Sequence, residues 1–170
     1  MNLAITDACI FIDLIELQLS SEFFRLPLEI HTSLDVFNEL YSEQQEILKA
    51  YSSVGKLTIH ILNSEEKAEI QDSIFPKSLS DNDKTVIYLA EKLNATVISS
   101  DKAVRNFAKS KSIDYHGMLW IFDEIIKSGL IEPALAIEKI HKLFNRNIIY
   151  LNNAELLNEK DIRIERWSIL

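Results

Sequence analysis

Apolar residues fall along this chain in two rhythms. Short apolar or alternating runs read as strands: "LAIT" (3–6), "LEIHTS" (28–33), "KLTIHIL" (56–62), residues 95–98 and "IDYH" (113–116). Longer segments between them read as helices. "ACIFIDLIELQL" (8–19) is too long and too densely apolar for a strand, and "SLDVFNELYSEQQEILKAY" (33–51) predicts one long amphipathic helix. "SEEKAEIQDSIF" (64–75) reads as a helix ending near Pro76, and "SDNDKTVIYLAEKL" (80–93) as one that Asn94 stops. A basic helix over 102–111, "MLWIFDEIIKSG" (118–129) and a helix over 133–144 with Pro133 in its first turn complete the regular part.

Strands that alternate with helices predict an α/β fold: a central, mostly parallel sheet flanked by helices, with a mainly helical C-terminal extension. A length of 170 residues suits a single domain over 1–170, with 133–170 as an extension of that domain. The tail reads as a strand at 147–151, a short helix at 153–159 and an extended end, "IRIERW".

Composition narrows the function. With 47% hydrophobic and 26% charged residues the chain carries a core and is not of disordered type. Five residues separate Asp7 from Asp13, so the N-terminus reads as neither a membrane span nor a signal peptide. The single cysteine, Cys9, excludes an internal disulfide and fits a reducing cytoplasm. A net charge of -8 argues against a protein that coats nucleic acid, since phosphates are neutralised by Lys and Arg; a nuclease whose acids are offset by metal ions stays open. The three glycines form neither a dinucleotide fingerprint nor a phosphate loop.

In open α/β sheets, ligands bind beyond the carboxyl ends of the strands. Asp7 follows the first strand and Asp101 follows the strand at 95–98. Asp83 lies in the first turn of the helix before that strand, and Glu39 lies inside the second helix with Asp35 as its rival one turn earlier. Gathered carboxylates repel unless protonated or bridged by a cation, and oxygen-only donors favour Mg²⁺ or Mn²⁺. Such ions activate water and clamp a phosphodiester. Just beyond Asp101 come Lys102, Arg105, Lys109 and Lys111, placed to meet phosphates. Plain structural roles compete: Asp7 and Asp101 as N-caps, Ser80 with Asp83 as a capping box, Glu39 and the basic helix as solvated faces. Other chemistry finds no footing. His31, His60, His116 and His141 are far apart and form no zinc motif, Cys9 reads as core packing, and no serine-hydrolase elbow occurs. Trp120 and Phe122 read as core, and Trp167 as the cover of an edge or a partner surface.

The acids in this order resemble the PIN-domain family, which includes VapC-type toxins. "AITDACIFIDL" offers Asp7 after strand one, and "DVFNEL" offers Glu39. "LSDNDKTVIYLAEKLNATVISSDKAVRNFA" is similar to the subgroup pattern LxxGExEAIxLAxxxxxxLLIDDxxARxxA, and "YHGMLWIFDEIIKSGLI" to xxGTLGxLxxAxxxGLI. Asp83 then stands for the first Glu and Thr85 for the second; Ser100 replaces the first Asp of the pair, Asp101 keeps the second, and Arg105 matches the family Arg. Asn82 replaces a glycine, and Gly117-Met118 stands for Gly-Thr. The resemblance implies a metal-dependent endoribonuclease, often dimeric and held inactive by a small antitoxin. Asp7, Asp83 and Asp101 would hold Mg²⁺ or Mn²⁺, with Glu39 completing the site, and Lys102, Arg105 and Lys109 would bind RNA. The substituted Thr85 and Ser100 support a second reading: a catalytically weak PIN-like scaffold that binds protein or RNA. A phosphoaspartate domain of dehalogenase or response-regulator type also has an Asp after strand one, but "TDACIF" lacks the second Asp.

Overall fold

A computed structural model describes residues 2–170. Five strands form one sheet: β1 (Asn2–Thr6), β2 (Leu28–Ser33), β3 (Leu57–His60), β4 (Thr96–Ile98) and β5 (Tyr115–His116), in the spatial order β3-β2-β1-β4-β5. Every pairing is parallel. Parallel sheets are covered on both faces, so their central strands carry continuous rather than alternating burial. Ala4, Ile5 and Thr6 are all buried, as are Val97, Ile98, Ser99 and Ser100.

The helices are α1 (Ala8–Glu16), α2 (Ser20–Phe23), α3 (Leu34–Phe37), α4 (Ser42–Ser53), α5 (Ser64–Asp72), α6 (Asp81–Leu93), α7 (Lys102–Ser110), α8 (Met118–Lys127), α9 (Pro133–Arg146), α10 (Ile148–Leu151) and α11 (Ala154–Trp167). Helix α6 packs across β1, β2 and β4, with Val86, Ile87, Leu89 and Ala90 buried. Asn94 ends it in the left-handed region, φ 50°, a conformation that Asn tolerates better than most residues. Among the described residues no helix is long and apolar enough to cross a membrane.

The expected helix over 8–19 ends earlier, at Glu16, because Gln18 turns to φ 55° before α2 begins. The single helix expected over 33–51 is two. Tyr41 takes an extended backbone (φ -66°, ψ 157°) as the N-cap of α4, and the Gln45 side chain donates to the carbonyls of Phe37 (3.2 Å) and Leu40 (3.0 Å). Those bonds satisfy carbonyls left open where α3 stops. Leu40 is buried in the break.

The tail is the larger correction. The strand expected at 147–151 is the one-turn helix α10, begun when the Asn147 side chain accepts from Ile149 N at 3.0 Å. The helix expected to stop at 159 runs on to Trp167, and "IRIERW" is helical rather than extended. Tertiary contacts explain both. Arg163 pairs with Asp123 of α8 (2.8 Å) and with Glu159 (2.6 Å), and Arg166 also reaches Asp123. Trp167 is buried beside Phe122 rather than covering an edge or awaiting a partner. Tyr150 and Trp167 therefore belong to the same core as the sheet.

Candidate active site

Strand β1 lies at the centre, with β2 on one side and β4 on the other. The chain crosses from one half of the sheet to the other at this point, which is where open α/β sheets leave a crevice at their carboxyl ends. Thr6 is in register with Ile98, so Asp7 and Asp101 leave neighbouring strands on the same side. The Asp7 amide donates to the Ile98 carbonyl at 3.3 Å and locks this alignment.

Asp7 is buried and caps α1, accepting from Ile10 N at 3.2 Å. Its Oδ1 also takes the Cys9 Sγ–H (2.9 Å), and its Oδ2 takes the Ser99 hydroxyl. Burial pushes its pKa up to about 6 against these bonds, and the charge of Asp83 adds to the rise. Asp101 is exposed. Its Oδ1 accepts from Ala103 N (2.6 Å) and Val104 N (3.2 Å), which makes it the N-cap of α7. Asp83 closes a capping box: its Oδ2 accepts from Ser80 N (2.9 Å) and Ser80 Oγ (2.7 Å). All three capping expectations therefore hold. A capping carboxylate keeps lone pairs for a second use.

Glu39 stands exposed in the turn after α3, outside any helix. Its rival Asp35 is half-buried and lines a cavity of about 370 Å³ with Asp81, Lys84 and Thr85. Lys102 and Lys109 are exposed on α7, whereas Lys111 is engaged with Glu91 at 3.4 Å. Arg105 is half-buried and its guanidinium lies over Gly117; a Cβ there would sit 2.8 Å from the Arg105 Nη1, so a larger residue would push the Arg105 tip aside.

The two positions where an acid was missing carry buried hydroxyls. Thr85 pairs with Ser33 Oγ at 2.7 Å. Ser100 Oγ pairs with Tyr150 Oη at 2.6 Å, and Tyr150 also donates to Asp13 Oδ2 at 3.3 Å. Asp13 is itself buried, with its pKa pushed up to about 6 by desolvation. The Ser100 amide donates to Cys9 Sγ (3.3 Å), so Cys9 links the two strand ends instead of merely filling core. Sequence reasoning missed Ser99, Asp13 and Tyr150. Ser99 holds Asp7 through its hydroxyl and accepts the Asp101 amide at 3.0 Å. A hydroxyl beside an acid at a strand end was the available signal for Ser99; nothing local marked Tyr150, 50 residues away.

Among the described residues, none of Asp7, Asp83 or Asp101 forms an ion pair, and no three His, Cys, Asp or Glu residues are placed so that together they could hold a metal ion. A hydrated Mg²⁺ or Mn²⁺ needs only one or two carboxylates, with water and substrate phosphate around it, so a site here would draw on one or two of these acids and not on all three. The histidines form no part of this site. His31 and His60, distant in sequence, meet on β2 and β3 with Nδ1 and Nε2 2.7 Å apart.

A family model described as PIN domain matches residues 3–159. No curated protein matches the chain. Among solved structures it is similar to a PilT N-terminus domain protein from the archaeon Sulfolobus solfataricus P2, at 17% identity over 74% of this chain and 92% of that one, TM-score 0.49. A domain of a functionally unknown protein from Methanocaldococcus jannaschii DSM 2661 matches at 18% identity over 69% and 91%, TM-score 0.48. VapBC2 from Rickettsia felis, bound to a DNA fragment from its promoter, matches at 14% over 68% and 98%, TM-score 0.41. The family model covers β1 from Leu3, the other four strands and ten of the eleven helices in full, and on that ground the chain belongs to the PIN-domain family.

Proposed function

We propose that this chain is a Mg²⁺- or Mn²⁺-dependent endoribonuclease acting as the toxin of a toxin–antitoxin pair. PIN domains are generally nucleases that use divalent metals. The observation that carries the reading is Asp7: a buried carboxylate at the switch point of the sheet, without an ion-pair partner among the described residues, with Asp83 close enough to raise its pKa further. Hydrogen bonds from Cys9, Ser99 and Ile10 offset its charge only in part, which leaves room for a cation to stabilise it further.

In this reading the metal takes its carboxylates from Asp7, Asp83 and Asp101, one or two at a time with water and substrate phosphate, and Glu39 serves as a ligand or orients the attacking water. A bound divalent ion supplies a polarised phosphoryl oxygen and a more acidic water. The chain's own groups do the positioning. Ser99 and Cys9 fix the Asp7 carboxylate, and the Asp101 cap sets the start of α7. Lys102, Arg105 and Lys109 on that helix meet the RNA phosphates. A small antitoxin partner, a homodimer and a cytoplasmic setting belong to the same proposal and rest on family membership. Purified protein should cleave RNA with Mn²⁺ or Mg²⁺ and be silent in EDTA; full activity after chelation and dialysis would sink it.

A second reading is favoured by the hydroxyls at Thr85 and Ser100 and by the absence of a three-acid cage among the described residues. It makes the chain a catalytically weak binding module. Calorimetric titration with Mn²⁺ separates the two, since the module need not bind the ion.

A further inference from the structure

A groove opens beside the strand end that carries Asp101. Arg105, His116, Gly117, Leu119, Trp120 and Tyr150 line it. Its link to the acids is short. Ser99 N donates to the His116 carbonyl at 2.9 Å, Tyr150 bonds Ser100, and a Cβ on Gly117 would lie 3.4 Å from the Ser99 carbonyl. His116 and Trp120 stack, with ring centroids 4.1 Å apart and planes 7° from parallel, and both rings are half-buried. Stacked aromatic faces at a groove are a platform for a further flat ring, and every nucleobase presents one. Burial lowers the His116 pKa and so favours the neutral ring, against the nearby charges of Asp114 and Glu124.

Charge supports the same ligand. Glu159 lines the groove but is spent on Arg163 (2.6 Å), which is also bound to Asp123. Arg105 is half-buried and, among the described residues, has no ion pair. A guanidinium held next to an aromatic platform matches a phosphate joined to a base. The cavity, about 240 Å³, is below the ~300–1,000 Å³ typical of sites for drug-sized ligands, so it suits one base rather than a longer segment.

We propose that this groove is a subsite for one nucleobase of single-stranded RNA, stacked on the His116–Trp120 pair, with the adjoining phosphate on Arg105. The identity of the ligand rests on the ribonuclease reading; the subsite itself needs no cleavage. It gives the enzyme a grip on the nucleotide beside the one being cut, and makes Trp120 a substrate-binding residue that stacks any base.

The test uses the full chain in EDTA, where cleavage is absent. Affinity for a fluorescein-labelled tetrauridylate is measured by anisotropy and compared with versions carrying one abasic residue at each position. Loss of the stacked base should weaken wild-type binding about 5- to 150-fold at one position. Trp120→Leu should bind intact and abasic oligomers alike, while Trp120→Phe keeps the discrimination. Trp120 and Trp167 are the only tryptophans and Trp167 is buried, so intact RNA should quench wild-type emission and leave that of Trp120→Phe unchanged. Equal wild-type affinity for intact and abasic RNA, or no binding of the intact oligomer, overturns the subsite without needing any variant to fold. Discrimination without Mn²⁺-dependent cleavage would leave the subsite standing and remove the ribonuclease reading; cleavage without discrimination would do the reverse.

Discussion

Replacing Asp7 by Asn separates the cost of its charge from the use of it. The folded carboxyl has a pKa of about 6 against 3.8 for the free group. A shift of roughly 2 units corresponds to about 3 kcal/mol. A carboxyl raised in the folded state binds more protons folded than unfolded between these values. Its penalty is therefore absent below about pH 3.8, grows as pH rises towards 6, and is complete above it. Asn keeps the cap on Ile10 N and can donate to Ser99 Oγ, but loses the charge-assisted bonds, at a cost of about 1 kcal/mol. In EDTA at pH 8 the variant should thus be more stable than wild type by about 2 kcal/mol, or ~4–8 °C in melting temperature for a chain of this size. At pH 4 the advantage should vanish or reverse. Saturating Mn²⁺ at about 100 times its dissociation constant stabilises a binding-competent protein by ~2.7 kcal/mol, so it should restore wild type to the higher rank. Urea unfolding at two pH values, with and without Mn²⁺, reads all of this. A variant less stable than wild type at pH 8 in EDTA, or a difference independent of pH, would show that the Asp7 charge is not under strain.

Asp101→Ala should cost about 1 kcal/mol by uncapping α7, whereas Asp101→Asn should keep the fold; both should lose cleavage, and an active Asn variant with a normal metal response would leave Asp101 only a cap. Tyr150→Phe strands Ser100 Oγ and one bond of buried Asp13 and should cost roughly 1–3 kcal/mol in urea unfolding; unchanged stability would show that the buried link is slack. His31 and His60 have pKa values lowered first by burial, with the facing imidazole adding to His31 and Lys92 to His60; Glu29 and Glu66 oppose. The unfolded chain then binds more protons, so their contribution is present above about pH 6.5 and is lost as pH falls through that value. His60→Gln should flatten stability there, and imidazole titration above 6.5 by NMR would refute the pairing.

The sequence alone determined the sheet-and-helix alternation, the ends of most elements and the acids at the strand termini. These are local facts: apolar rhythm, Pro133 at a helix start, Asn94 at a helix stop, a carboxylate able to reach the first free amides of α1 and α7, and the reciprocal Ser80–Asp83 box at α6. Tertiary structure decided the rest. Whether Asn38 to Tyr41 continue a helix depends on burial of Leu40 and on Gln45 reaching back to two carbonyls. Whether "IRIERW" coils or extends depends on Asp123, 40 residues earlier, and on room for Trp167 in the core. Cys9 and Ser100 lie 91 residues apart, and Ser100 and Tyr150 lie 50 apart. No local rhythm encodes such pairings, because a buried polar group takes whichever partner the packed chain brings within hydrogen-bond reach.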